Sequence, residues 1–247
     1  MPDKKRPDKI RPDKIRSGEI NPTRTQTVRV GHLEGNPENH PDSVHPDPAP
    51  IKQAGGIIRN QGIVIFPAQC LYGLAANALD PQAIQRVFDL KQRPQSNPIL
   101  VLIQTPEDLK NFVKTIPDSA RILMEKFWPG NITLVFEAAE KVPPLLTAHT
   151  GKIGIRIPSH PVARALVQQA QGPITGTSAN LSGQPGCSQV SKLPSAILDG
   201  ADMILDAGPL KGGAGSTIVD VTCNPVRILR QGMVAQTDIF QALSRQQ

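Results

Sequence analysis

The sequence predicts an α/β domain: an open, twisted, mixed sheet with helices packed on it. Two observations carry that expectation. Unbroken apolar runs of strand length, Ile63–Phe66 and Ile99–Ile103, suggest strands buried within a layered core. Between and after them lie stretches with apolar residues at helical spacing, some opened by a proline such as Pro81 or Pro106.

The first 50 residues break this pattern. They are rich in Pro, Asp, Lys, Asn and His, and they bury too little to offset the entropy of ordering them. Residues 1–50 are therefore expected to be a disordered tail and linker. Pro2–Arg6, Pro7–Arg11 and Pro12–Arg16 form a tandem repeat, and a proline every five residues blocks a continuous helix. Residues 1–16 carry 7 basic and 3 acidic side chains, so the repeat reads as a solvated tail or as a loose polyanion contact. His32, His40 and His45 are spaced too irregularly for a metal site.

The folded part is expected over 51–235, with a C-terminal helix over 236–247 packed on it or trailing it. A short helix over 50–60 leads into the strand Ile63–Phe66, which Pro67 ends. Pro81 opens a helix with Ile84, Val87 and Phe88 as its stripe. Lys91–Arg93 closes it, because Pro94 cannot continue it. Thr105-Pro-Glu-Asp108 is a helix start: cap, proline, then acids in the first turn. Further helices are expected at 118–127 and 161–170. Strands are expected at Ile132–Phe136, Ile153–Ile157, and near 173–176, 203–205, 217–221 and 226–230. The last helix, about 237–245, puts Ile239, Phe240 and Leu243 on one face.

Charge divides at the same boundary. Residues 1–50 carry 9 Lys/Arg and 8 Asp/Glu, whereas residues 51–247 carry 18 and 13, so the folded part supplies most of the net +6. A moderately basic domain suits an anionic ligand such as a nucleotide or RNA. Cys70, Cys187 and Cys223 are far apart and form no zinc pattern; a sparse, odd set fits a reducing compartment. No apolar run approaches 18 residues, and the N-terminus shows neither a secretory apolar region nor the composition of a transit peptide. The expectation is a cytoplasmic protein with no membrane span.

Several polar segments interrupt the apolar pattern. Lys91 and Arg93 are either helix C-terminal cations that complement the dipole or a phosphate clamp, a point charge beside a planar fork. Thr175–Gly183 is either an ordinary polar turn or a ligand loop at a strand end, with Ser178 and Asn180 pointing the same way. Gly212-Gly-Ala-Gly-Ser216 can let backbone N–H groups approach phosphate. It is not a P-loop, since it lacks the Gly-Lys-Ser/Thr ending and a strand follows. Arg230 ends the next strand and reads equally well as a surface residue. Arg156 sits inside the apolar strand 153–157, where it faces solvent or meets an anion such as a carboxylate. His149 and His160 have no recognisable triad partners, and Trp128 reads as core.

Taken in order, these segments resemble the YrdC family, the threonylcarbamoyl-AMP synthases. The matching stretches are Phe66-Pro67, Tyr72-Gly-Leu74, Lys91-Gln-Arg-Pro94, Phe127-Trp-Pro-Gly130, Ile155-Arg-Ile-Pro-Ser-His-Pro161, Thr177-Ser-Ala-Asn-Leu-Ser-Gly183 and Ser216-Thr-Ile-Val-Asp220, followed by Arg230. They span about residues 51–235. The resemblance implies sheet and helices around a deep positive cavity. It implies formation of threonylcarbamoyl-adenylate and pyrophosphate from L-threonine, bicarbonate and ATP, with Mg²⁺ carried by ATP and no protein-bound metal. The product would feed the t6A modification at tRNA position 37 through a partner transferase complex, with weak RNA contact as a further expectation.

The same resemblance implies roles. Lys91 and Arg93 would be catalytic and hold the phosphates. Ser178, Asn180, Ser216 and Arg230 would complete the ATP site. Arg156 would take the threonine carboxylate with help from Thr177. Ala68 and Cys70 stand where many members carry threonines beside the amino acid, and Leu102 stands near a position where many carry histidine. Long-form members have a further C-terminal domain, which is not expected here. Two other readings stay open: a YciO-type paralogue with altered amino-acid use, and a non-catalytic RNA-binding module. A hydrogenase-maturation carbamoyltransferase would need acylphosphatase and zinc-finger segments that this sequence does not show.

Overall fold

In the computed structural model, residues 25–30 and 46–244 are described. The chain begins with β1 (Gln26–Arg29), α1 (Pro48–Arg59), β2 (Val64–Pro67), β3 (Tyr72–Ala75) and α2 (Pro81–Lys91). Next come β4 (Val101–Leu102), a 3-10 turn (Pro106–Asn111), α3 (Asp118–Phe127), β5 (Ile132–Glu137), β6 (Lys152–Arg156) and α4 (Pro161–Ala170). The remainder is β7 (Ile174–Thr175), β8 (Thr177–Ser178), a 3-10 turn (Val190–Lys192), α5 (Ser195–Asp199), β9 (Met203–Asp206), β10 (Thr217–Asp220), β11 (Arg227–Arg230) and α6 (Gln236–Ser244). The α/β class and the mixed pairing stand as the sequence predicted.

Local chemistry fixes the helix starts. Asp47 accepts from Ala49 N (3.0 Å), and Asp80 accepts from Gln82 N (2.8 Å) and Ala83 N (3.1 Å), each ahead of a helix opened by proline. Thr105 N donates to Asp108 (2.9 Å), but the segment so capped is a 3-10 turn rather than the expected α-helix.

The strands form two sheets where the sequence suggested one. A five-stranded sheet runs β1-β9-β2-β3-β8, and a six-stranded sheet runs β11-β10-β5-β6-β4-β7. The division falls inside the expected strand 173–176. Thr175 closes the six-stranded sheet on β4, and two residues later Thr177 and Ser178 pair with β3 in the other sheet. Gly176 is the corner. A Cβ there would lie 2.5 Å from Leu100 Cδ1 and 2.8 Å from Leu102 Cγ, so any other residue would have to push these two side chains aside.

The larger core lies between the sheets and under α2, α3, α5 and α6; a second lies under α1 and α4, against the outer face of the five-stranded sheet. Val101 enters the first core and Leu102 the second, which is the two-faced burial that the apolar run implied. Ile239 of α6 is fully buried, so this helix packs on the domain.

One expectation is corrected. Residues 1–50 are not uniformly tail and linker: Gln26–Arg29 pairs in parallel with β9, Val30 N donates to Asp206 O (2.8 Å), and Val30 is buried. Thr25 Oγ1 also bonds Leu198 O (2.8 Å) and Ala201 O (2.9 Å). The partners lie more than 170 residues away, so no local pattern announces the strand. The Pro-Asp-Lys repeat and His32, His40 and His45 lie outside the described residues.

Candidate active site

A cavity of about 830 Å³ opens where the two sheets separate. Its walls come from the β2–β3 loop, β5, β6, the β7–β8 corner, residues 184–186, the glycine loop 213–215 and β10–β11. Eight of the predicted site residues line it: Ala68, Cys70, Arg93, Arg156, Thr177, Ser178, Ser216 and Arg230. Lys91 and Asn180 do not; they stand behind the wall.

Arg156 is the deepest cation. The strand β6 alternates, so Lys152, Gly154 and Arg156 share the cavity face. Arg156 is only 6 % exposed, and its Nε is buried with no hydrogen-bond partner. Burial, then the charge of Arg230, pushes its pKa down to about 10, while neighbouring Cys70 pulls it back up. Two guanidiniums that raise each other's energy across a cavity mark a place for an anion.

Arg230 donates to Ser216 O (2.7 Å), and Ser216 Oγ lies 2.7 Å from Thr133 Oγ1. The glycine loop is held close to this strand: a Cβ on Gly232 would meet Gly215 O at 2.2 Å. Gly212 and Gly213 both take positive φ, 73° and 97°, which side chains rarely adopt. Burial lowers the pKa of both Arg230 and Arg93. Arg93 bonds Asn97 O through Nε (3.0 Å) and Pro98 O through Nη2 (2.8 Å).

The expected clamp of Lys91 and Arg93 is split. Gln92 ends α2 in the left-handed region (φ 49°), so the chain turns between them. Arg93 reaches the cavity, whereas Lys91 is 1 % exposed and turns inward. Its Nζ donates to Ser178 O (2.5 Å) and Asn180 O (2.7 Å). Burial, then Arg93, pushes the Lys91 pKa down to about 7; the two carbonyl acceptors favour the charged ammonium and oppose that push. Asn180 is engaged through its amide nitrogen: Nδ2 donates to Leu181 O and Gln184 O, both at 2.7 Å, while its Oδ1 is buried with no partner.

Sequence reasoning missed Lys152, Asp220 and Gln69. Lys152 Nζ donates to buried Asp220 (2.9 Å) and to Thr222 Oγ1 (2.7 Å). Burial raises the Asp220 pKa, but Thr222 and Lys152 outweigh it and hold the carboxyl below its ordinary value. The signal for Lys152 was present, four residues before Arg156 on the same strand face. Gln69 accepts from Ser159 Oγ (2.5 Å), tying the β2–β3 loop to the β6–α4 loop. That contact has no sequence signature.

The chain matches the family model described as "Telomere recombination" (Sua5/YciO/YrdC) over residues 56–232. It is 37 % identical over 182 residues to the threonylcarbamoyl-AMP synthase of Pyrococcus abyssi, covering 74 % of this chain and 54 % of that protein. It is 33 % identical to the Bacillus subtilis protein of the same name, covering 76 % of this chain and 55 % of that one. The chain thus spans about half the length of these two relatives. Among solved structures, P. abyssi Sua5 complexed with L-threonine aligns with a TM-score of 0.80 at 32 % identity, covering 90 % of this chain and 61 % of the other. Escherichia coli YciO shares the fold, with a TM-score of 0.73 at 24 % identity over 88 % of this chain and 99 % of the other. Among the described residues, no helix is long and apolar enough to cross a membrane. Fold, cavity and the match over 56–232 lead to one assignment: the chain belongs to the Sua5/YciO/YrdC family.

Proposed function

We propose that this chain forms threonylcarbamoyl-adenylate from L-threonine, bicarbonate and ATP. The observation that carries the reading is Arg156, a buried arginine with an unpartnered Nε beside Arg230, in a cavity within the usual range of about 300–1,000 Å³ for small-molecule sites. The Pyrococcus abyssi relative solved with L-threonine supports an amino-acid carboxylate as the anion for this site.

The chemistry asks little of acids and bases. The threonine amine and bicarbonate give a carbamate and water. A carbamate oxygen then bonds to the α-phosphorus of ATP as the bond to the pyrophosphate oxygen breaks. What this step needs is alignment and a place for charge on the phosphoryl oxygens. Arg156 would pair with the carboxylate, with Thr177 nearby on the facing wall. Arg93, Arg230 and Ser216 would face the phosphates, with Ser178 on the nucleotide side. Magnesium would arrive on the triphosphate, which supplies its oxygens. The cavity's carboxylate, Asp220, is already taken by Lys152 and Thr222, so no protein ligand is assigned to the ion. A partner transferase would carry the threonylcarbamoyl group to tRNA.

A second reading keeps the reaction and changes the amino acid. Ala68 and Cys70 line the cavity with a methyl and a thiol, and Cys70 lies close enough to Arg156 to affect its charge. The experiment is pyrophosphate release with ATP and bicarbonate, with threonine or other amino acids supplied in turn. Release that needs both threonine and bicarbonate is expected. Release with another amino acid in place of threonine favours the second reading, and release unaffected by any amino acid sinks both.

A further inference from the structure

We infer that Lys91 is a positioning residue that braces the ATP-side wall from behind, and not a ligand of the phosphates. The geometry of the wall carries this. The ammonium donates to Ser178 O and Asn180 O, and Ser182 N returns a bond to Lys91 O (2.9 Å), so the end of α2 and the loop 178–182 are locked in both directions. Ala179 N donates to Tyr72 O (2.9 Å), and Asn180 Nδ2 closes the loop on Gln184 O. The front of this same stretch is cavity surface at Thr177, Ser178 and Gln184–Gly186. Lys91 therefore stands outside the cavity lining, its ammonium donating to carbonyls of the wall, and sets where Ser178 and its neighbours stand.

The alternatives fare worse. An ammonium that served phosphate would have to give up its buried bond to Asn180 O, a substantial penalty, and leave Ser178 O to Asn180 N alone (3.0 Å). Any buried lysine needs acceptors; here both come from the loop that forms the wall, which ties that loop to the end of α2. Arg93, two residues on and across the turn at Gln92, is the cation that the cavity sees.

The effect on turnover rests on the proposed synthase reading; the brace itself does not, and the tests separate them. In wild-type protein, the side-chain Nζ and Cε resonances of Lys91 should not move on adding magnesium α,β-methylene-ATP, whereas the Arg93 Nε resonance should shift. A Lys91 shift as large as that of Arg93 would overturn the inference. In Lys91→Met, the amides of Ala179 and Ser182 should exchange about 10- to 100-fold faster without any ligand, while those of β5 and β6 stay protected. Equal loss across all elements would mean a general core defect and would count against a local brace. If that variant does not fold, the wild-type resonance experiment decides alone. For active protein, the KM for ATP should rise in Lys91→Met while the KM for threonine holds. Absence of pyrophosphate release in wild type would refute the synthase reading and leave the exchange result standing.

Discussion

Two buried polar clusters of this domain, one around the Tyr72 hydroxyl and one at Arg156, obey opposite rules. Tyr72 is fully buried, and its hydroxyl lies 2.7 Å from Gly208 O and 3.0 Å from Asp206 Oδ1 while accepting from Ala207 N (3.0 Å). Asp206 in turn accepts from Gly208 N (2.8 Å). Burial and then the Asp206 charge drive the Tyr72 pKa well above the usual phenol range, so the group stays neutral. Arg156 is buried almost as deeply, yet its Nε has no partner and its neighbour Arg230 is another cation. The Tyr72 cluster is satisfied and holds the fold; Arg156, a buried cation beside a second one in a cavity, has chemistry suited to an anion.

The sharpest way to break this contrast is to truncate Arg156. Arg156→Ala should lower kcat/KM for threonine about a thousandfold, in line with 3–5 kcal/mol for breaking a buried charge pair. It should also raise the melting temperature of the ligand-free protein, because it removes a buried cation that lacks a full set of partners. A lower melting temperature would place Arg156 with the structural cluster. Arg230→Met comes next. It should raise the KM for ATP about 10- to 100-fold, the range for one charge-assisted hydrogen bond, measured by pyrophosphate release at varied ATP.

Tyr72→Phe should do the reverse of Arg156→Ala. It strands Ala207 N and should cost about 1–3 kcal/mol in urea unfolding, with turnover of the folded fraction near wild type. The pH dependence of stability sharpens the picture for Lys91, a buried cation that is partnered. Its folded pKa lies below its unfolded value, so the unfolded chain holds more protons between about 7 and 10.5. Stability should therefore climb as pH rises from 7 to 9, by at most about 1.4 kcal/mol per unit, and Lys91→Met should flatten that slope. The smallest effect is expected at the turn between the two cations. Gln92→Gly relieves a left-handed residue but frees the unfolded chain, and should stabilise by less than about 1 kcal/mol.

Much of the cavity was legible because β-strands repeat every two residues. Arg156 in an apolar strand and Ser216 ahead of one could each be placed at a strand end or face by pattern alone. What could not be read was direction. The left-handed turn at Gln92, which sends Lys91 backward and Arg93 forward, depends on a single φ that glutamine does not advertise. The corner at Gly176 is similar: one glycine divides an expected strand between two sheets, and what marks it is the crowding of Leu100 and Leu102, not a turn motif. The strand Gln26–Arg29 was hidden by distance, since β9, its strand partner among the described residues, lies far along the chain.

That first strand has a consequence for how the domain meets other chains. β1 caps the rim of the five-stranded sheet along Met203–Asp206. A version of the protein begun at Ile51 would leave that rim bare, with a row of unused amides and carbonyls beside apolar Met203 and Leu205. Such a rim is a template, and it accepts whichever extended segment arrives first, including the Gln26–Arg29 segment of another full-length molecule. The short strand thus occupies the Met203–Asp206 rim and moves the sheet's edge onto four residues that end in a charged Arg29, a poor template for strangers.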